Sequence, residues 1–193
     1  MAVRVDPRAD RSRTTALEVA RNILVEEGWD ALTHARLAER SGLHRATLYR
    51  HWPTPTAILH DLLDEQVAIA QITATGDLRA DLVTALTTIQ RELTRRDFGR
   101  VLTALIDRGE WDADLHRIKV TITKAGVSPI AQLLATGIEQ GHLSPGINPA
   151  TGAALLVGPL LYRRLLSGER ITRRFVEDVV DSFLAANRVP NHR

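Results

Sequence analysis

The sequence predicts an all-α protein in which a small N-terminal three-helix unit is joined to a larger C-terminal helical domain. Apolar residues recur at three- and four-residue spacing along most of the chain. The segments with this spacing begin at Ser, Thr, Asp or Asn caps, and several end at Gly. In one segment the apolar residues also alternate as in a β-strand, but this segment has no partner strand. We expect the first domain to cover residues 1–53 and the second to cover residues 54–193.

Composition is that of an ordinary soluble globular protein. The chain has 193 residues, of which 44% are hydrophobic and 25% are charged. With no cysteine, disulfides and cysteine-ligated metal centres are excluded. The first residues are charged rather than apolar, and no apolar run approaches the roughly 18 residues of a membrane span. We therefore expect no secretory signal, no membrane partner and a cytoplasmic location.

The N-terminal domain is predicted to open with an arm and a long helix. Residues 1–10 have no apolar period, so we expect a mobile arm. A helix should follow over residues 14–27, since Thr15 and Glu18 have the spacing of a capping box and Gly28 suits the position past its end. Its inward face is formed by Leu17, Ala20, Ile23 and Leu24.

Residues 33–52 read as two short helices around one turn. Thr33 can cap the first helix, and Gly42 supplies the positive φ that a tight turn requires. The range holds four Arg and one Glu, a net charge of +3, whereas the whole chain is only +2. No acidic residue lies between Leu43 and Trp52, so the second helix has a basic exposed face suited to phosphates. This pattern indicates a DNA-binding helix-turn-helix; the alternative is a surface hairpin whose arginines are merely solvated.

The motif within these residues has a specific resemblance. It consists of Leu37-Ala38 through Ser41-Gly42-Leu43, then Ala46-Thr47-Leu48-Tyr49-Arg50-His51-Trp52, and finally Ile58-Leu59. Over about residues 11–60 it resembles the DNA-binding signature of the TetR family of bacterial transcriptional repressors. The resemblance implies that Thr47, Tyr49 and His51 touch the DNA backbone. It also implies that Arg45 and Ala46, early in the recognition helix, reach base edges.

Two positions depart from the pattern of the TetR family. His44 stands where Ser or Thr usually opens the recognition helix, which affects its capping. Pro55 stands where a lysine usually follows the aromatic residue, which removes a cation that would contact phosphate. The candidate DNA-binding residues are Thr33, Arg36, His44, Arg45, Ala46, Thr47, Tyr49, Arg50 and His51.

The C-terminal domain is predicted to consist of further helices. Thr54 followed by Pro55 begins one that runs to about residue 73, and Asp77 caps the next. A sixth helix should end at Gly109. Residues 118–126 fit a helix and also alternate as a strand would; we prefer the helix because a lone strand has no partner.

That helix is expected to break at Gly126 and to restart at Ser128. The last two helices are expected to begin at the caps Asn148 and Thr172, and the first of them to end at Ser167-Gly168.

The last two helices carry apolar residues on more than one face. One face can cover a core, whereas a second face requires another partner. We therefore expect a homodimer formed through a four-helix bundle, an arrangement that the resemblance also implies; the alternative is that these helices are buried all round within one subunit. The candidate dimer contacts are Leu156, Leu160, Phe175, Val179 and Phe183.

Catalytic motifs are not found, and we expect neither an enzyme nor a cofactor. His60 with Asp61 and Asp64, and the acidic run from Asp107 to His116, could suggest metal sites, but a solvated acidic surface is the preferred interpretation. Hydroxyls and aromatic rings within the apolar helices suggest a cavity for a small molecule. The candidate ligand-binding residues are Thr103, Trp111 and Tyr162.

These observations together predict a ligand-responsive transcriptional regulator that acts as a repressor. It would bind an inverted repeat in double-stranded DNA as a homodimer and be released by a small-molecule inducer of unknown identity. Two alternatives stay open. One is a constitutive or architectural helix-turn-helix protein without a ligand, and the other is a small helical metal-binding protein or enzyme.

Overall fold

A computed structural model describes residues 7–66 and 74–189. Its helices are α1 (Pro7–Glu26), α2 (His34–Ser41), α3 (Arg45–His51), α4 (Pro55–Gln66), α5 (Leu78–Thr94), α6 (Arg96–Arg108), α7 (Ala113–Glu139), α8 (Pro149–Tyr162) and α9 (Arg173–Asn187). A short 3-10 turn at Trp29–Ala31 precedes α2, and a π-helical turn at Arg163–Ser167 follows α8. Within the described ranges, β-type pairing is limited to an isolated bridge between Leu143 and Arg188. The predicted all-α fold is confirmed.

The helix starts predicted from caps are confirmed at five positions. In each, the side-chain oxygen accepts a hydrogen bond of 3.0–3.2 Å from the backbone N–H three residues later. These caps are Thr33, Thr54, Asp77, Asn148 and Thr172. A cap of this kind is worth about 1 kcal/mol, because it satisfies a donor that the first turn of a helix leaves unpaired.

The first helix begins earlier than predicted. It starts at Pro7 rather than near Thr14, so the predicted arm is wrong for residues 7–10, and residues 1–6 lie outside the described residues. Proline suits the first helical position because its missing N–H would have no partner there. The apolar period begins only at Ala16, since the first turns of a helix can form without a buried face. The helix ends at Glu26, and Gly28 adopts the expected positive φ, at 88°.

The longest helix corrects another expectation. The predicted break at Gly126 is wrong, because α7 is continuous and contains Pro129 in its interior. The missing N–H of Pro129 costs one helical hydrogen bond, to the carbonyl of Ala125. An apolar stripe that stays in phase on both sides of the proline favours continuity despite that cost. The stripe contains Leu115, Ile118, Ile122, Ile130, Leu133 and Leu134.

Contacts among the described residues divide the chain into two units, and each has its own core. The first comprises residues 7–66 with 100–119, and α1 packs there against α2 and α4. The second comprises residues 74–99 with 120–189, and α5 packs there against α8 and α9. The domain boundary predicted after residue 53 stays a prediction. In the part of the chain that is described, no helix is both long and apolar enough to traverse a lipid bilayer.

The core of the first unit joins all four of its N-terminal helices. Its fully buried side chains are Leu17, Ile23, Leu37, Leu48, Trp52, Ile58, Leu59 and Leu62. Burying a side chain of this size stabilises the fold by about 1.5–3 kcal/mol. The short helices α2 and α3 therefore depend on this shared core, since helices of seven or eight residues are not stable alone.

Candidate nucleic-acid interface

The turn between α2 and α3 has the predicted geometry. Gly42 adopts a left-handed conformation, with φ of 71° and ψ of 7°, and its N–H donates to the carbonyl of Ala38 at 3.0 Å. Nothing lies within 4 Å of the position that a Cβ would take at Gly42. The glycine is required for its backbone conformation rather than for space. With Leu37 and Leu48 both fully buried across the turn, α3 leaves at a fixed angle to α2.

One side of α3 is buried and the other is open. Leu48 and the following Trp52 point into the core, at 0% and 2% exposure. The exposed residues are His44, Arg45, Ala46, Tyr49 and Arg50, while Thr47 and His51 are half-buried. Arg45, Ala46, Tyr49 and Arg50 therefore share one accessible helix face, and Thr47 and His51 lie at its half-buried edge. Tyr49 belongs to that face, because 55% of this residue is exposed.

The start of α3, where His44 was expected to affect capping, differs from the starts of the other capped helices. His44 adopts an extended conformation but its side chain makes no capping hydrogen bond. In α2, by contrast, Thr33 caps the helix by accepting the N–H of Arg36 at 3.1 Å. The first N–H groups of α3 thus keep no side-chain partner from this position. Of these groups, the N–H of Thr47 donates to the backbone carbonyl of His44 at 2.9 Å.

The arginines of α2 are engaged by carboxylates. Arg36 donates from Nε and Nη2 to the two oxygens of Glu27, at 2.9 and 3.1 Å, and from Nη1 to Glu39 at 2.8 Å. Arg40 donates to Glu26 at 2.8 Å and to Glu27 at 2.7 Å. The hydrogen bond from Arg36 is the largest cause that lowers the pKa of Glu27 below its ordinary value. Arg36, a predicted DNA contact, is thus paired with the residue that follows α1 and with a residue of its own helix.

The arginines of α3 are different. Arg45 and Arg50 are exposed, and no carboxylate among the described residues pairs with either guanidinium. The positive charge available to a phosphate backbone is therefore concentrated on α3, although the four arginines are evenly divided between the two helices. From the sequence alone, this excess positive charge is predicted for the whole motif. The pairing of α2 with Glu26 and Glu27 depends on packing that residue spacing does not show.

Behind α3, a hydrogen-bond network holds the end of the helix. The indole Nε1 of Trp52 donates to Oδ2 of Asp61 at 2.8 Å, and Arg13 donates to the same oxygen at 3.0 Å. These bonds connect α3 to α4 and α1. Asp61 therefore has a structural role, whereas the sequence suggested it only as part of a possible metal site with His60. No group of three or more potential metal-ligating side chains occurs in residues 7–66 and 74–189.

His51 can present only one side of its ring to DNA. Its Nε2 is buried and has no hydrogen-bond partner among the described residues, and the ring lies 5.4 Å from that of Trp52. A phosphate contact at this residue would have to use Nδ1.

The three candidate ligand-binding residues are all on the surface. Thr103 is exposed, Trp111 is 87% exposed in the turn before α7, and Tyr162 is 58% exposed at the end of α8. None of them lines either of two open clefts in the second unit, of about 500 and 250 Å³. The larger lies between the start of α8 and the end of α9, and the smaller lies beside the buried carboxylate of Asp81. The sequence identified hydroxyls and rings but could not tell which turns of a helix face inward.

The predicted dimer contacts are largely internal. Leu156 and Leu160 are fully buried and Phe183 is 8% exposed, so these side chains belong to the core of the second unit. Phe175 and Val179 are half-buried. The outward apolar face of this region is formed instead by Leu155, Tyr162 and Leu166, at 62%, 58% and 76% exposure. Leu155 differs from Leu156 by one residue, which turns a side chain by about 100° around a helix.

Both parts of the chain match models of known protein families. Residues 16–62 match the family model described as bacterial regulatory proteins of the tetR family. Residues 72–183 match the model described as a tetracyclin repressor-like C-terminal domain. The two matches cover the helix-turn-helix and most of the second unit.

Relatives with similar sequences are regulators of the same type. The uncharacterized HTH-type transcriptional regulator YdeS of Bacillus subtilis is 30% identical over 176 residues, which cover 90% of this chain and 88% of YdeS. The DNA-binding transcriptional repressor TetR of Mycobacteroides abscessus is 23% identical, with 90% of this chain and 94% of that protein covered. The crystal structure of the TetR family transcription regulator SCO0332 superposes on this chain with a TM-score of 0.69. The two sequences are 29% identical, and the match covers 91% of this chain and 97% of the SCO0332 chain. This chain therefore belongs to the TetR family of helix-turn-helix transcriptional regulators.

Proposed function

We propose that this regulator is a ligand-responsive repressor that binds an inverted repeat as a homodimer in the cytoplasm and is released by a small-molecule inducer. The observation that supports DNA recognition most strongly is the exposed face of α3, where Arg45 and Arg50 have no carboxylate partner within the part of the chain that the structure describes. A helix with such a face suits the major groove, which admits one α-helix. The name of the repressor from Mycobacteroides abscessus supports repression rather than activation.

The roles proposed for the interface follow from position on α3. Arg45 lies near the N-terminal end that approaches base edges, and a bidentate contact with guanine is worth about 1–3 kcal/mol of discrimination. Thr47, Tyr49 and Arg50 would hold phosphates and fix the register of the helix. His44, Ala46 and His51 would complete the contact surface. The hydroxyl of Thr33 would also take part by donating its hydrogen, since its oxygen already accepts a hydrogen bond as the cap of α2.

A homodimer would present two copies of α3 to one face of the duplex. The operator is then an inverted repeat whose half-sites lie about 34–36 Å apart, or a multiple of that distance. We propose the outward apolar residues Leu155, Tyr162 and Leu166 as part of the subunit interface, together with the half-buried Phe175 and Val179 on α9. Exposed apolar residues gathered on one face favour a protein partner over solvent.

The dimer can be tested by placing a charge on this face. Leu155→Glu should shift the protein from dimer to monomer at micromolar concentration, as measured by size-exclusion chromatography with light scattering. Ile106→Glu, an exposed apolar position on α6, provides the control and should leave the dimer intact. A wild-type protein that is monomeric at these concentrations would remove the proposed interface.

The inducer would act by preferring the conformation that does not bind DNA. A ligand that binds both conformations equally shifts nothing, so its affinity must differ between them. Recovery of genomic DNA bound by the full chain should yield an inverted repeat and the genes beside it. Candidate compounds suggested by those genes can then be tested for release of the recovered duplex. Undiminished affinity in the presence of a compound shown to bind the protein would contradict the proposed switch.

A further inference from the structure

His34, the first residue of α2, is a buried polar residue whose contacts both go to α3 and its cap. Its side chain is 6% exposed. Its ring stacks on that of Tyr49, with ring centroids 4.1 Å apart and an angle of 11° between the planes. Its Nε2 lies 2.7 Å from the carbonyl oxygen of Trp52. His34 therefore holds the C-terminal part of the recognition helix from two points.

The contact with Trp52 defines the proton on His34. A carbonyl oxygen can only accept, so Nε2 must carry a hydrogen and donate it. Trp52 is the C-cap of α3, and its N–H closes the helix by donating to Leu48 at 2.8 Å. Its own carbonyl lies past the last helical residue, where a helix leaves carbonyls without partners. The imidazole supplies that partner, which no aliphatic side chain at the same position could do.

The contact with Tyr49 is not ordinary core packing. Tyr49 is 55% exposed, so the stack covers one side of a ring that otherwise faces solvent. A stack of two rings limits the directions that the Tyr49 hydroxyl can take. That hydroxyl lies on the face proposed to meet phosphates.

Two contacts three residues apart also fix the rotation of α3. The ring of Tyr49 within α3 and the backbone carbonyl of Trp52 at its end are therefore held against His34 together. A helix with its side chains is about 10–12 Å across, and a rotation of 10° therefore moves a side-chain tip by about 1 Å. Arg45 lies one turn before Tyr49 on the same helix. A change of this size is enough to spoil a bidentate hydrogen bond to a base.

We propose that His34 is a positioning residue for DNA recognition, which orients the Tyr49 hydroxyl by stacking and sets the rotation of α3 through the carbonyl of Trp52. This inference rests on the proposed DNA-binding function. It assigns a role to a residue outside the exposed recognition face, and it differs from a purely structural role in one measurable way. If His34 acts through Tyr49, the effects of changing the two residues on operator affinity must depend on each other.

Two substitutions separate the two contacts of His34. His34→Gln retains an N–H donor for the carbonyl of Trp52 but removes the ring that stacks on Tyr49. His34→Phe retains a ring for the stack but removes the donor. Each is combined with Tyr49→Phe, and affinity of the full chain is measured for a duplex selected by the wild-type protein. Ile23→Val, at a fully buried position in α1, provides a control that disturbs the same core without touching either contact.

The expected result is a specific loss of coupling. In the wild-type background, Tyr49→Phe should weaken operator binding about fivefold for each subunit of the proposed dimer, the effect of one hydrogen bond, and the fold-changes below are likewise given per subunit. In the His34→Gln background the same change should cost less than about twofold, because the hydroxyl is no longer held in place. In the His34→Phe and Ile23→Val backgrounds it should still cost about fivefold. All affinities are measured at a temperature where circular dichroism shows each variant folded.

The outcomes distinguish this inference from the proposed function. If Tyr49→Phe costs about fivefold in every background, His34 is only a packing residue and the inference is overturned. If His34→Gln does not fold, His34→Leu, which keeps neither the stacking ring nor the donor, takes its place: a penalty of less than about twofold supports the inference, and a penalty of about fivefold overturns it. If the wild-type chain selects no duplex at all, the DNA-binding proposal fails and this inference fails with it.

Discussion

The salt dependence of DNA binding should distinguish the arginines of α3 from those of α2. Arg50 has no carboxylate partner among the described residues, whereas Arg40 donates to both Glu26 and Glu27. A guanidinium that neutralises one phosphate contributes about 0.9 to the slope of log K against log salt concentration, because it releases counterions from the DNA. Arg50→Gln should lower this slope, and Arg40→Gln should not.

The size of the effect follows from the number of subunits. With one Arg50 contact in each subunit of a dimer, the slope should fall by about 1.8. Between 50 and 200 mM salt the wild-type protein would then lose about twelvefold more affinity than Arg50→Gln, since the concentration changes fourfold. Arg40→Gln provides the matched control because it removes the same charge from the same unit. Its slope should stay within about 0.3 of the wild-type value.

Fluorescence anisotropy with a labelled duplex, repeated at five or more salt concentrations, measures these slopes. Absolute affinities of both variants can change, but the slope counts only the phosphates that the protein neutralises. Equal reductions of the slope by Arg40→Gln and Arg50→Gln would refute the reasoning. The two helices would then contribute alike, and the ion pairs of α2 would open when DNA binds.

Three further predictions follow from single residues. Arg45→Ala should relax sequence preference at one base pair of each half-site, while Tyr49→Phe should weaken all sequences alike; binding to a panel of mutated duplexes measures both, and equal sequence-independent losses would contradict the assignment. Because Arg36 lowers the pKa of Glu27, the stability contributed by Glu27 is present above its unfolded value of about 4.5 and is lost as pH falls through the lower folded value. The unfolding temperature should therefore fall less steeply between pH 7 and pH 3 for Glu27→Gln than for the wild-type protein. The same pH dependence in both proteins would argue against this ion pair. Gly152→Ala should destabilise the protein by about 1–3 kcal/mol in urea unfolding, because its Cβ would lie 2.8 Å from a leucine methyl group; wild-type stability would show that this core can yield.

Much of the fold could be predicted because it depends on local chemistry. A cap such as Thr33 or Asn148 bonds an N–H only three residues away, so the signal and its partner are read in the same few positions. The left-handed Gly42 is equally local. The break expected at Gly126 was wrong because continuity of α7 depends on the phase of apolar residues over the whole helix, which outweighs one missing hydrogen bond at Pro129.

The candidate interface was predicted less completely, because its electrostatics depend on residues far apart in sequence. The pairing of Arg36 with Glu27 joins α2 to the residue that follows α1, nine positions earlier, and the role of Arg36 at DNA stays a prediction. The contact of His34 with Trp52 spans eighteen residues and had no local signal. In the second unit, Leu155 and Leu156 are both leucines in one apolar run. Only packing shows which of them faces out.

The central claim is that α3 is the surface through which this protein holds DNA, and one titration tests it most directly. A duplex recovered with the wild-type chain is titrated with the double variant Arg45→Ala and Arg50→Ala at about 100 mM salt. Affinity should fall by more than about a hundredfold, with unchanged helicity and unfolding temperature, because one base contact and one phosphate contact disappear in each subunit. Wild-type affinity in this variant would show that another surface binds the DNA.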